Sequence, residues 1–129
     1  MGKLTPAQRM AVAGRIAAVT VIGQKDVVWT ATDFGDVPEG DVKIEELAGG
    51  TELAGGEPFE VDVAAVDEVI HTGLFTSRGV NRLGWAHQTY AEFLAAWHLS
   101  QLEVTTEQAL DLIMQLGKPL VRPVRLEKL

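Results

Sequence analysis

Apolar residues recur at helical spacing over much of the chain, with shorter β-prone stretches between. Thr5-Pro6-Ala7-Gln8 opens the first helical stretch. Thr5 suits an N-cap, Pro6 the first helical position, and Gln8 the return arm of a capping box. Ala7, Met10, Ala11, Gly14 and Ala18 follow at helical spacing, which predicts a helix over about 6–22 with a small-residue face. Val27 to Thr30 is short and β-prone, and residues 33–41 read as loop. Val42 to Leu47 predicts a helical turn or two. Glu46-Leu-Ala-Gly-Gly50 then recurs as Glu52-Leu-Ala-Gly-Gly56. Two copies are too short for a solenoid, and the paired glycines read as turning loop. Val63, Val66, Val69 and Ile70 predict a helix over Val61 to His71, with Asp62 near its start and Gly73 as a left-handed stop.

Residues 74–77 and 82–86 flank Arg78-Gly79-Val80-Asn81, where Gly79 and Asn81 tolerate positive φ. This predicts a β-hairpin with Phe75, Leu83 and Trp85 as candidate core and Arg78 and Arg82 as solvated charges. Thr89 and Glu92 form a second capping box for a helix over 89–99. Tyr90, Phe93, Leu94 and Trp97 would be its buried face. His71 and His98 read as helix-end or helix-surface residues. Thr105 caps a last helix to Leu116, with Ala109, Leu112, Ile113 and Leu116 inward, and Gly117 and Pro119 end it. Residues 118–129 read as an extended basic tail. The order predicts a mainly α domain with one small β-hairpin, winged-helix-like in outline, spanning 1–117 with a Gly-rich acidic loop inserted at about 33–60.

Charge sharpens this reading. The 129 residues carry a net charge of -7, and the acidity is concentrated in one segment. Residues 33–68 hold twelve acids and one base, Lys43, while both flanks are slightly basic. Such a segment is a solvated surface or a contact for a basic partner. The balance argues against a general nucleic-acid binder. The helix over 89–99 has no Lys or Arg and presents Glu92 and His98, with Gln88 just before it, which is poor material for a groove-reading helix. The alternatives are a stand-alone winged-helix DNA-binding module, which rests on the outline, and a protein-interaction module using the acidic loop. With no cysteine there is no disulfide and no thiolate metal site, and a cytoplasmic setting is the expectation. No apolar run approaches the roughly 20 residues of a membrane span, and no signal peptide is visible at the N-terminus.

One stretch carries a specific resemblance. Thr72-Gly-Leu-Phe75 is followed by Gly84-Trp-Ala-His-Gln-Thr-Tyr-Ala-Glu-Phe-Leu-Ala-Ala96. This resembles the end of the nucleotide-binding module of NACHT-type signalling NTPases of the STAND class. The pattern of aromatic, His, Thr, aromatic, Glu, Phe-Leu-Ala-Ala is met by Trp85, His87, Thr89, Tyr90, Glu92, Phe93, Leu94, Ala95 and Ala96. The resemblance covers about 72–99. It implies a winged-helix region that follows an ATPase core, and it implies that His87 contacts the β-phosphate of bound ADP in a closed state. A helix N-terminus favours anions, and an imidazole there can donate one hydrogen bond to a phosphate oxygen. The implied partner is the adjacent ATPase core, with oligomerisation on activation, in intracellular signalling or anti-phage defence.

The chain contains no G-x-x-x-x-G-K-[ST] phosphate loop: the position five before Gly117 is Leu112, and Pro119 follows Lys118. ATP or ADP would therefore be held through the parent protein, and the chain itself is expected not to be an enzyme. It reads as a piece of a larger switch protein. No Ser-His-acid triad is credible around Ser77 or Ser100, and Glu45 and Glu46 show no sign of desolvation. No metal ligand set is expected, since His87 and His98 would stand about 16 Å apart along a helix.

Overall fold

In the computed structural model, residues 3–31 and 37–101 are described. The helix expected over 105–116 and the tail 118–129 lie outside them.

Helix α1 (Pro6–Ile22) starts where the capping residues put it. Thr5 Oγ1 accepts from the Gln8 N–H at 3.1 Å, and the Thr5 N–H donates to Gln8 Oε1 at 2.9 Å. The helix is buried on most of its circumference, from Ala11 to Ile22. Its small residues let neighbours approach closely. A Cβ built on Gly14 would stand 3.1 Å from the Trp97 ring and from His98 Cβ, so glycine here sets the distance to the last helix.

The expectation of a mainly α, winged-helix-like domain with one small hairpin is overturned. Strands β1 (Val27–Trp29), β2 (Asp41–Lys43), β5 (Phe75–Ser77) and β6 (Arg82–Trp85) form a four-stranded mixed sheet in the order β2-β1-β6-β5. Strand β1 runs parallel to β2 and antiparallel to β6. A second, two-stranded sheet joins β3 (Thr51–Ala54) to β4 (Glu57–Glu60). The fold is α/β. The missed strands have three or four residues, too few to show alternation, and β1 pairs with residues about 55 positions away.

The acidic insertion is corrected with it. Residues 41–60 are not loop but β2, α2 (Ile44–Leu47), β3 and β4. Val42, Ile44 and Leu47 are buried core residues between the charged positions. The second Gly-Gly pair makes the two-residue turn of the β3–β4 hairpin, with φ of 60° at Gly55 and 84° at Gly56. Positive φ at both central residues is what a type I′ turn requires.

Helix α3 (Val63–Ile70) is capped by Asp62, whose Oδ1 accepts from the Ala65 N–H at 2.8 Å. Its end differs from expectation. Gly73 is not left-handed; the Thr72 N–H and Oγ1 both donate to the Val69 carbonyl, at 3.1 and 2.7 Å. The β5–β6 turn does use positive φ at Gly79 and Asn81. Helix α4 (Gln88–Gln101) completes the described fold and packs along α1.

The core joins α1 (Val12, Ile16), α3 (Val66, Val69, Ile70), α4 (Leu94, Ala95) and the sheet (Val28, Val42, Phe75, Trp85). Phe75 and Trp85 face each other across β5 and β6 with ring centroids 4.3 Å apart. No helix among the described residues is long and apolar enough to cross a membrane.

Candidate functional site at the start of α4

Strand β6 ends at Trp85 and delivers the chain to α4 through two residues, Ala86 and His87. Trp85 turns inward, and its Nε1–H donates to Thr20 Oγ1 at 3.0 Å inside the fold. The Ala86 N–H donates to the Leu74 carbonyl at 2.8 Å, tying the end of β6 to the start of β5. His87 then stands exposed immediately before Gln88, the first helical residue. Its carbonyl accepts from the Tyr90 N–H at 3.1 Å, and its ring meets the Tyr90 ring edge-on with centroids 4.9 Å apart. The ring nitrogens make no hydrogen bond among the described residues. The imidazole is therefore braced by an aromatic edge, free to donate outward, and placed where a helix dipole favours anions.

A cleft of about 410 Å³ opens beside Gln88. Lys25 and Arg78 line it, with Thr20 and Trp85 at its wall and Asp26 as the one acid. Arg78 is exposed, as expected from the sequence, but it is anchored. Its side chain lies across Gly84 and Nη2 donates to the Trp85 carbonyl at 2.6 Å. Arg82 is likewise engaged, making two hydrogen bonds of 2.9 and 3.0 Å to the buried Asp41 carboxylate on β2.

Several expected positions are corrected. Helix α4 begins at Gln88, so Thr89 is not its cap. No hydrogen bond joins Thr89 to Glu92 among the described residues, and both side chains are exposed. Tyr90 and Phe93 are not core: they are 41% and 61% exposed. Trp97 is half-buried against Gly14. The buried face of α4 is Ala91, Leu94, Ala95, His98 and Leu99. It is rotated by one residue from the expected stripe, and of the expected aromatics Trp97 keeps its ring on α1, against Gly14. Phe75, Trp85 and Leu94 are buried as expected, and Leu83 is half-buried near the turn. Tyr90 and Phe93 instead rim an apolar groove of about 400 Å³ with Met10, Val69 and Leu74.

His98 is the residue that sequence reading missed. It is not on the surface but 6% exposed, packed at the junction of α1, β3 and α4. Its Nε2 stands 3.8 Å from Glu52 Oε2, and the same oxygen lies 3.4 Å from Arg15 Nη1. Burial and the Arg15 charge hold His98 below the ordinary imidazole range. Burial pushes the Glu52 carboxyl up, and Arg15 partly opposes it. The one available signal was its place at i+4 from Leu94 and i+7 from Ala91.

Among the described residues no group of three or more His, Cys, Asp or Glu could hold a metal ion. Comparison with known protein families, curated proteins and solved structures finds no match to this chain.

Proposed function

We propose that this chain is the regulatory α/β portion of a NACHT-type STAND NTPase, lying next to an ATPase core in the parent polypeptide. In this reading His87 donates a hydrogen bond to the diphosphate of ADP held by that core and keeps the switch closed. The chain itself performs no hydrolysis; the parent supplies the phosphate loop. Exchange of ADP for ATP removes the contact and shifts the population toward the open state. The setting is intracellular signalling, with anti-phage defence as the implied role.

The observation that carries this reading is the position of His87. The motif Trp85-x-His87-x-Thr89-Tyr90-x-Glu92-Phe93-Leu94-Ala95-Ala96 could have folded with its histidine inward. Instead Trp85 takes the interior and His87 is exposed at the start of α4, with no ring hydrogen bond to give up among the described residues. The cleft lined by Lys25 and Arg78 adds positive charge beside the same helix end.

The test uses the parent polypeptide. His87→Ala should weaken ADP by about tenfold, the scale of one charge-assisted hydrogen bond, and raise basal signalling. Titration calorimetry and a basal-activity assay read the two effects. Unchanged affinity together with unchanged basal activity would overturn the reading.

A further inference from the structure

Away from the start of α4, Arg15, Glu52 and His98, each on a different element, meet in one largely buried cluster. Glu52 is carried by the β3–β4 hairpin, whose strands, among the described residues, pair with one another alone. Most hairpin side chains are exposed; Glu52, Ala54 and Phe59 are the partly covered ones. The ribbon leaves the body at Gly49 and Gly50, both at positive φ. There the Gly49 N–H donates to the Val61 carbonyl at 2.7 Å, and the Val61 N–H to the Gly50 carbonyl at 3.0 Å. Glu52 is the strut between ribbon and body: it holds Arg15 of α1, and Arg15 also donates to the Gly49 carbonyl. Beneath the ribbon a gap of about 290 Å³ separates Gly55 and Gly56 from Trp97 and His98 of α4.

We propose that the β3–β4 hairpin is a proton-operated latch, closed over α1 and α4 by the Glu52–Arg15 strut and released when His98 gains a proton. Among the described residues the charged groups facing His98 are Arg15 from α1 and Glu52 from β3. A neutral imidazole is accommodated. A protonated one places a second cation beside Arg15 in a nearly closed space, at 3.8 Å from the carboxylate, which is beyond hydrogen-bond range. Lifting the ribbon lets water reach the imidazolium, at the cost of the Phe59 contact with the core.

The sign follows from linkage. His98 is lowered in the closed form, so its contribution to closure is fully present above the ordinary imidazole value of 6.5 and is lost as pH falls below it. Glu52 is raised, so its contribution is present below 4.5 and is lost as pH rises through its raised value. The two run in opposite senses, so a loss of closure on acidification belongs to His98 and not to Glu52.

Hydrogen exchange of the full chain, read by mass spectrometry at pH 7.5 and 5.5 and corrected for intrinsic rates, tests the latch. A two-stranded ribbon is marginal in water once it leaves its support, so its ladder opens when it lifts. Peptides covering 49–60 should lose protection several-fold at pH 5.5 while those of α1 and β6 keep theirs. His98→Gln should remove that pH dependence. Equal loss in all peptides, or a hairpin that still opens with acid in His98→Gln, overturns the proposal. If His98→Gln does not fold, the wild-type His98 ring signal and the hairpin amides are followed together by NMR. A shared midpoint supports the latch, and separate midpoints sink it.

Discussion

Thr20 joins two elements through one oxygen. Its hydroxyl donates back to the Ile16 carbonyl at 2.9 Å and accepts from Trp85 Nε1 at 3.0 Å. A buried indole N–H costs stability if left alone, so the Thr20 hydroxyl is what lets Trp85 turn inward and send the chain out at His87. Thr20→Val keeps the shape and removes the acceptor. It should cost about 1–3 kcal/mol in urea denaturation; a loss within error would mean that water from the neighbouring cleft satisfies Nε1. At this scale the sequence was partly legible. Alternation marked Leu83 and Trp85 for one face, and helical spacing put Leu94 inward. His98 was illegible because a lone polar residue on an apolar stripe reads as an interruption. Its reason for being buried, Glu52 and Arg15, comes from two distant elements.

The register of α4 decides which side chains the site displays. Helical spacing allows two neighbouring stripes: the aromatic one through Tyr90, Phe93 and Trp97, and the small one through Ala91, Ala95 and His98, with Leu94 between. Hydrophobicity alone favours the aromatic stripe. The fold buries the small one, and Gly14 of α1 leaves room for the Trp97 ring and His98 side by side at its edge. The two registers predict different mutant costs. Leu94→Ala should cost about 2–5 kcal/mol as a core truncation, while Phe93→Gln should cost less than about 1 kcal/mol as a surface change. Thermal melts of the two variants compare them, and equal losses would place Phe93 inside. Elements closed by local chemistry were readable: α1 from Thr5 and Gln8, α3 from Asp62, the β5–β6 turn from Gly79 and Asn81. The sheet was not. Strands of three or four residues carry too little pattern, and Val27–Trp29 acquires its neighbours only when residues 41–43 and 82–85 arrive.

At the scale of the molecule, the acids from Glu39 to Glu68 follow one another along the chain from the turn before β2 through the hairpin to α3. Glu39, Glu45, Glu46, Glu57, Glu60 and Asp67 are exposed there, and Lys43 is the one base of the segment. Three arginines from outside it each answer one acid: Arg9 with Glu68, Arg15 with Glu52 and Arg82 with Asp41. Salt acts on both sides of this balance. It weakens the exposed Arg9–Glu68 pair, whose contribution is small in any case, and it barely reaches the buried Asp41 carboxylate. It also screens the repulsion among the remaining exposed acids over a range that shrinks from about 30 Å at 0.01 M to about 10 Å at 0.1 M ionic strength. Repulsion involves more groups than attraction here, so raising NaCl from 0.01 to 0.3 M should raise the melting temperature by a few degrees, on the order of 1 kcal/mol for a domain of this size. Replacing Glu57 and Glu60 with Gln should reduce that salt response without touching the strut at Glu52. A melting temperature that falls with salt would mean that the three cross-element pairs outweigh the acidic face.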